Sequence, residues 1–454
     1  MSSTIAAIAT PLAAGGIGII RISGDDALNI ADKVFRCKSG KKLCDAKGYT
    51  AHYGRAFDEK GDIDEAIAIV YRAPKSYTGE DIAEISCHGG LLVVQRVLRS
   101  VFAAGATAAG PGEFTKRAFL NGKIDLAEAE GVMDIINAGS EQAANAALNL
   151  RDGALSREAD DICQNLISAS AHMAAWVDYP EDDVPELNYD VLAETLRQCG
   201  DRIEKLISRY DSGKAVTEGV SAVIVGKPNA GKSTLMNALA GVQKSIVTPV
   251  AGTTRDVVEE TVRLGNVVLR LADTAGIRET GDIVESIGVN MAKQRLQRAE
   301  IVFAVFDLSE AFTSEDEELC KICENKKSIA ILNKSDLDAA MDISQIEKYF
   351  SETVTISAES GDNLDALEKA VERVLGTAEF DSSAPMAASE RQRDCCRRAL
   401  QYINEGVEGL ACGVTLDAVN VLTDCAIDAL LELTGKKAGE EVINEVFSRF
   451  CVGK

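Results

Sequence analysis

The spacing of hydrophobic and polar positions changes character along the chain. Up to about residue 120, short β-branched runs dominate. Ile17-Gly18-Ile19-Ile20-Arg21-Ile22 alternates after the Gly15-Gly16 turn, and Ile67–Tyr71 and Ala83–Ser86 read the same way, so each predicts a strand. Leu91 to Ala104 carries helical spacing, and Ala109-Gly110-Pro111-Gly112 reads as a loop. From about 123 to 215 the period is helical. Leu126, Ala129, Met133 and Ile136 fall at the spacing of one buried face, and Ala-rich helices follow, broken near Tyr179-Pro180 and Val184-Pro185. Between about 217 and 377, strand-like runs at Ala222–Val225, Val267–Leu271, Ile301–Phe306, Ile329–Leu332 and Val354–Ile356 alternate with helical segments. That alternation predicts a parallel sheet with crossover helices. Residues 385 to 450 are helical again. Chain ends of a compact domain lie close together, so one domain can be inserted into another. The expected architecture is multidomain, α/β plus all-α: an N-terminal α+β domain at 1–122, a helical domain from two segments at 123–215 and 379–454, and an inserted α/β domain at 216–378.

Composition narrows the classes. A length of 454 residues suits about three domains, and 46% hydrophobic with 26% charged residues at a mean hydropathy of −0.01 suits globular cores. Lys and Arg number 48 against 71 Asp and Glu, a net charge of −23. Such a chain is not expected to coat nucleic acid non-specifically, because phosphate contacts need clustered cations; a local basic patch remains open. No apolar run approaches the roughly 18 residues of a membrane span, and the N-terminus lacks the cationic start of a secretory signal. The twelve Cys are scattered, which suggests reduced thiols and a cytoplasmic protein. Cys320 and Cys323 form a C-x-x-C with no second pair or His cluster nearby, and His52, His88 and His172 lack metal-ligand spacing. The terminal Cys451-Val452-Gly453-Lys454 is not read as a prenylation box. Cys451 is read as a packing thiol, and Met173 and Trp176 as core.

The inserted segment carries the chemistry. Gly226-Lys227-Pro228-Asn229-Ala230-Gly231-Lys232-Ser233 matches G-x-x-x-x-G-K-[ST], placed after the run Ala222–Val225 and before a helical stretch at Thr234. Glycines let backbone N–H groups face phosphates, and the helix N-terminus adds positive potential. Lys232 is expected on the β- and γ-phosphates and Ser233 on Mg²⁺. Asp273-Thr274-Ala275-Gly276 follows a strand, with Asp273 set to hold the metal through water and the Gly276 N–H to face the γ-phosphate. Asn333-Lys334-Ser335-Asp336 fits N-K-x-D. A buried Asp336 carboxylate accepts guanine's paired donors, which adenine lacks, so GTP is selected over ATP. Ser357-Ala358 fits the loop that presents an N–H to guanine O6. The set predicts a Ras-like GTPase. Two features are unusual. Ile277 stands directly after D-T-A-G and cannot orient water, so hydrolysis needs another device. The loop from Thr248 to Asp256 reads as switch I, with Thr254 as second protein ligand to Mg²⁺.

Asn229 in the P-loop, Ala251-Gly252-Thr253-Thr254-Arg255-Asp256, apolar Ile277 and the terminal Phe450-Cys451-Val452-Gly453-Lys454 occur together with Thr78-Gly79-Glu80-Asp81, His88-Gly89-Gly90, Pro111-Gly112-Glu113-Phe114 and Arg117–Asn121. By these blocks, which run from Ala9 to the last residue, the chain resembles the MnmE (TrmE) family of tRNA-modification GTPases. The resemblance implies an N-terminal domain that binds tetrahydrofolate (5-formyltetrahydrofolate or a related form) and forms a homodimer. It implies an FAD-dependent MnmG-type partner, modification at C5 of the wobble uridine (U34) of certain tRNAs with an aminomethyl-type group, and no membrane. It further implies GTP hydrolysis stimulated by K⁺ when two G domains meet. By motif, Asn229 would bind K⁺, with backbone carbonyls around Thr248, Val250 and Thr253 completing its shell. That cation would stand where an arginine finger does. Glu285 would help to place the water, beside Lys232 and Thr254 as catalytic groups. The folate positions would be Arg21, Glu84, Lys123 and Lys454. Read without the resemblance, Arg21 and Glu84 are solvated strand residues. The alternatives are a ribosome-assembly GTPase of the Era or Der type, against which stand the single P-loop and the acidic chain without a basic C-terminal RNA-binding module, and a non-enzymatic GTP-controlled switch.

Overall fold

The computed structural model describes residues 3–178, 187–242, 259–272, 296 and 299–454. It divides into two compact units, one of residues 1–133 with 431–454 and one of residues 134–430.

The first unit is built on a seven-stranded sheet of order β3-β4-β5-β6-β2-β1-β7, from β1 (Ile5–Ile8), β2 (Ile17–Ser23), β3 (Phe35–Cys37), β4 (Thr50–Asp58), β5 (Gly61–Tyr71), β6 (Ile82–His88) and β7 (Thr107–Ala108). Its pairings are antiparallel except β1 with β7. One face is apolar: Ile20, Ile22, Ala68, Val70, Ala83 and Ile85 pack with the helices Ala27–Val34 and Leu91–Ala103. Because successive side chains alternate faces, Arg21 and Glu84 point the other way, on a row that pairs Ala7 with Arg21, Arg21 with Glu84, and Glu84 with Ile69. The predicted strands and the helix at 91 are present. β1, β3, β4 and β7 were not legible in the pattern; β4, Thr-Ala-His-Tyr-Gly-Arg-Ala-Phe-Asp, buries only Gly54 and Ala56 fully.

The last helix of this unit, Glu440–Ser448, folds back so that Phe447 and Phe450 pack on Leu126 and Ala129 of the helix Leu126–Asn137. Met133 joins them at the edge, whereas Ile136 is 43% exposed. The single buried face expected through Ile136 therefore stops one turn early, where the aromatic partners end.

The second unit holds a six-stranded sheet of order β13-β12-β11-β8-β10-β9, from β8 (Val220–Gly226), β9 (Glu259–Leu264), β10 (Val267–Ala272), β11 (Ile301–Asp307), β12 (Ser328–Asn333) and β13 (Thr353–Thr355). All pairs are parallel except β9 with β10. A parallel sheet is covered on both faces, and here alternate residues divide accordingly. Ile301, Phe303 and Val305 face Leu235, Leu239, Leu367 and Val371, while Val302, Ala304 and Phe306 face Cys320, Cys323, Ile346 and Phe350. β9, antiparallel at the edge, had no signal strong enough to predict it.

The helices Glu141–Arg151, Ala154–Asp178, Tyr189–Ser208 and Tyr210–Thr217 precede this sheet, and Glu390–Ala411 and Leu416–Leu433 follow it. Gly200 lies beside Leu400 and Ile403, so helices from before and after the sheet segment pack on each other. The breaks expected at Tyr179-Pro180 and Val184-Pro185 lie outside the described residues. Met173 is fully buried and Trp176 half-buried. Cys320 and Cys323 are buried apolar packing, their thiols pushed up by burial to about 12 and about 11. No described helix is long and apolar enough to cross a membrane.

Candidate functional sites: a phosphate loop and a charged pair under the C-terminal tail

The first site grows from β8. The strand ends at Gly226, the chain turns through Lys227 to Gly231, and the helix Lys232–Val242 begins. Two residues make this turn possible. Asn229 sits at φ 63°, a left-handed conformation that Asn tolerates. Gly231 sits at φ 93°, and a Cβ there would meet Asn333 Nδ2 at 2.0 Å. A side chain at 231 would therefore collide with Asn333, so the turn needs glycine there. Ser233 and Thr234 are exposed in the first helical turn, where a hydroxyl can ligate a cation. Lys232 folds back, its Nζ donating to the carbonyls of Gly226 at 2.9 Å and Lys227 at 2.6 Å. Burial lowers the pKa of its ammonium.

Asn333 closes the site from behind. Its Nδ2 donates to the Ala230 carbonyl at 2.9 Å and its Oδ1 accepts from the Ala358 amide at 2.9 Å, so one buried side chain joins the phosphate loop to the Ser357-Ala358 loop. Lys334, at φ 66°, pairs with Asp307 at the end of β11. Burial raises the Asp307 pKa, but Lys334 and Ser309 more than offset it and hold the carboxyl below its usual range. Ser335 N bonds to Ile356 O at 3.1 Å, which fixes the loop carrying Asp336. Asp336 itself is exposed. Thr248, Val250, Thr253, Thr254, Asp273, Thr274, Ala275, Gly276, Ile277 and Glu285 lie outside the described residues.

The second site lies in the first unit. Arg21 Nε and Glu84 Oε1 are 2.8 Å apart, with both side chains about one-sixth exposed, so these are a half-buried pair and not the solvated charges that the strand pattern suggested. Tyr71 donates to the other Glu84 oxygen at 3.3 Å, and Arg21 lies against the rings of Tyr77 and Phe114, 5.5 and 5.6 Å from their centroids. The C-terminal tail comes to this pair within the same chain. Gly112 N bonds to Cys451 O, Phe114 N to Lys454 O at 3.2 Å, and Arg21 Nη1 to Gly453 O at 3.4 Å. Gly453, at φ 100°, is required here, since a Cβ would meet Ile8 O at 2.3 Å. The Lys454 ammonium has a lowered pKa, first from burial and then from Arg21, with Glu84 opposing. Lys123 is exposed and donates to Pro74 O at 3.1 Å; no described hydrogen bond or ion pair joins it to the other three. Cys451 is exposed, correcting the packing role expected for it, because the tail lies on the surface with Gly453, not Cys451, turned inward.

Sequence reasoning missed what connects the other blocks. Arg117, almost fully buried, donates to Glu80 at 3.1 Å, to Glu113 at 2.9 Å and to Ser3 O at 2.8 Å, while Ser23 bonds to Glu80 and Thr78 at 2.7 Å. Asn121 donates to Thr78 O at 2.7 Å. Ser23, Thr78, Glu80, Glu113, Arg117 and Asn121 are thus joined in one hydrogen-bonded network, buried at Ser23, Thr78 and Arg117 and open to solvent at Asn121. Tyr71, Tyr77 and Asp307 carried no spacing that would single them out.

A parallel sheet with a phosphate loop at the end of one strand, braced by an N-K-x-D loop at the end of another, defines a P-loop GTPase domain, here joined to helices and to an N-terminal α+β unit. Residues 4–123 match the family model described as GTP-binding protein TrmE N-terminus, and residues 126–451 match the MnmE helical domain. The tRNA modification GTPase MnmE of Lactococcus lactis subsp. cremoris (strain SK11) is 43% identical over 453 residues, which cover 99% of this chain and 98% of that protein. The protein of the same name from Geobacillus kaustophilus (strain HTA426) is 42% identical over 457 residues, 99% of each. Among solved structures, a point variant of Aquifex aeolicus Era bound to GDP and AlF4⁻ is 31% identical, covering 40% of this chain and 66% of that one with a TM-score of 0.28. The chain belongs to the MnmE (TrmE) family of tRNA modification GTPases.

Proposed function

We propose that this GTP hydrolase of tRNA modification works as a homodimer with an FAD-dependent MnmG-type partner, in the cytoplasm, to place an aminomethyl-type group on C5 of the wobble uridine (U34). The domain limits proposed are 1–122, 123–215, 216–378 and 379–454. GTP is held by Asn229–Thr234, Asp273–Gly276, Asn333, Lys334, Asp336, Ser357 and Ala358, with Ser233 and Thr254 on Mg²⁺. K⁺ is held by Asn229 and the backbone of Thr248, Val250 and Thr253. When bound, these cations supply positive charge to the phosphates. Lys232 gives up its carbonyl partners to meet the phosphates, and Glu285 with Thr254 positions the attacking water.

The N-terminal unit takes 5-formyltetrahydrofolate or a related tetrahydrofolate at Arg21, Glu84, Lys123 and Lys454. The observation that supports this reading most is the return of the C-terminal tail to the N-terminal sheet, which sets Lys454 beside the Arg21–Glu84 pair, near the rings of Tyr77 and Phe114. A planar, anionic ligand needs such a mixture: cations for its carboxylates, a carboxylate for paired N–H donors, and rings for its faces. GTP turnover measured in K⁺ and in Na⁺ over a range of protein concentrations tests the hydrolysis. Faster turnover in K⁺ that rises with concentration is expected, and Asn229→Ala should lose the K⁺ stimulation yet still bind GTP. Equal rates in both salts would overturn the K⁺ assignment.

A further inference from the structure

The second residue of the phosphate loop has a job outside the loop. The side chain of Lys227 runs from the loop toward a neighbouring helix. Lys227 uses that direction to reach the start of the helix Ser314–Cys323, where its ammonium bonds to Thr313 Oγ1 and to Asp316 Oδ2. Asp316 is 2% exposed and Lys227 about one-fifth exposed. The same carboxylate oxygen closes the helix's capping box, accepting from Thr313 N at 2.9 Å and Thr313 Oγ1 at 3.0 Å. A helix N-terminus repels a cation, so the charge that holds Lys227 there is that of Asp316, with the Thr313 hydroxyl as a second, neutral acceptor. A carboxylate as buried as Asp316 needs a cation in turn.

We infer that Lys227 and Asp316 form a buried pin that positions the phosphate loop for GTP, with Lys227 acting as a positioning residue. The link to the site is the backbone of Lys227. Its carbonyl, with that of Gly226, parks the Lys232 ammonium, and it accepts from Ala230 N at 3.4 Å, across the turn that Asn229 makes. Anchoring residue 227 to the far helix therefore fixes one end of the cradle, while Asn333 fixes the other through Ala230. Thr313 and Asp316 stand on a helix that carries none of the nucleotide motifs, so the pin ties the loop to the face of the sheet opposite the helix Lys232–Val242.

The inference rests on this loop being the GTP site, so GTP binding by the unaltered full-length chain is measured first; failure there overturns that reading and not the pin. The test is then the affinity for GTP and the separate kcat and KM of four full-length variants. Lys227→Met and Asp316→Asn should each raise the Kd and KM for GTP about tenfold with a smaller change in kcat, since the pin positions a binding cradle and touches no reacting atom. Lys227→Arg, which keeps the charge and reach, should restore affinity to within about twofold. Lys227→Met/Asp316→Asn should bind no worse than the weaker single variant, because partners acting through each other are not additive. Melting temperature is followed alongside, since a general loss of folding would lower the apparent kcat and leave KM unchanged, the reverse of what loss of the pin does. Single variants that bind GTP within twofold of the unaltered chain overturn the inference, as do losses that add in the double variant.

Discussion

Asn333→Ala is the most exacting test of how the nucleotide domain is held. The side chain is 2% exposed and both of its ends are in use, on the Ala230 carbonyl and on the Ala358 amide, each at 2.9 Å. Alanine removes both bonds and leaves one buried C=O and one buried N–H without partners. Each orphaned group costs about 1–3 kcal/mol, and water admitted to the vacated space recovers part, so about 2–4 kcal/mol of stability is expected to go. In a cooperative unit of about 150–250 residues, 1 kcal/mol moves Tm by about 2–4 °C, so the transition should fall by about 4–16 °C. Asn333→Asp should do no better at neutral pH. It keeps an acceptor for Ala358 but sets a carboxylate oxygen against the Ala230 carbonyl. Calorimetric melting of the full chain, with the nucleotide domain's transition identified by its upward shift on adding GTP, gives the stability term. Equilibrium binding of a fluorescent GTP analogue gives the effect on the site, which should weaken because the phosphate loop and the Ser357-Ala358 loop lose their common brace. If Asn333→Ala melts within about 1 °C of the unaltered chain and binds GTP equally well, the bracing role argued from these two bonds is wrong.

Three further outcomes are expected. Asp307 has a folded pKa lowered below the usual carboxylate value, so its pairing with Lys334 stabilises the domain above the unfolded pKa near 3.9, and that stability is lost as pH falls through the folded value; acid unfolding of Asp307→Asn should be less steep below about pH 4, and superimposable curves would refute this. Asp336→Asn should shift preference from guanine to xanthine nucleotides, whose C2 oxygen pairs with an amide, and an unchanged GTP preference in competition binding would remove Asp336 from the base site. Deleting Cys451–Lys454, or Glu84→Ala, should weaken 5-formyltetrahydrofolate binding in calorimetry, the latter by about 1–3 kcal/mol for a charge-assisted contact, while GTP turnover stays near normal; equal binding by all three proteins returns Arg21, Glu84, Lys123 and Lys454 to a structural role.

The parts of this protein that the sequence by itself determined are those whose physics is local. Ile301–Phe306 reads as a strand because six apolar residues in a row suit a sheet buried on both faces. Gly226–Ser233 reads as a phosphate loop because its glycines and its place between strand and helix are set by neighbours along the chain. Elements whose reason is elsewhere were silent. β4 pairs with β5 through its backbone while burying little but Gly54 and Ala56, and β9 exists because β10 offers it an edge. Ile136 continues a helical stripe perfectly well and is exposed because Phe447 and Phe450, from the far end of the chain, reach only as far as Met133. The sites divide in the same way. Asn333 was legible as part of N-K-x-D, but its two bonds join three separate loops. Arg21 and Glu84 looked like solvated strand charges until the register set them side by side and the tail from Phe450 to Lys454 closed over them. Asp316, Asp307, Tyr71 and Tyr77 gave no signal at all, since a carboxylate or a phenol becomes part of a site only through the partner brought to it. Short-range stereochemistry and hydrophobic period are written residue by residue; pairing of charges across hundreds of residues is decided by which surfaces the packed sheet and helices bring within about 3 Å of each other.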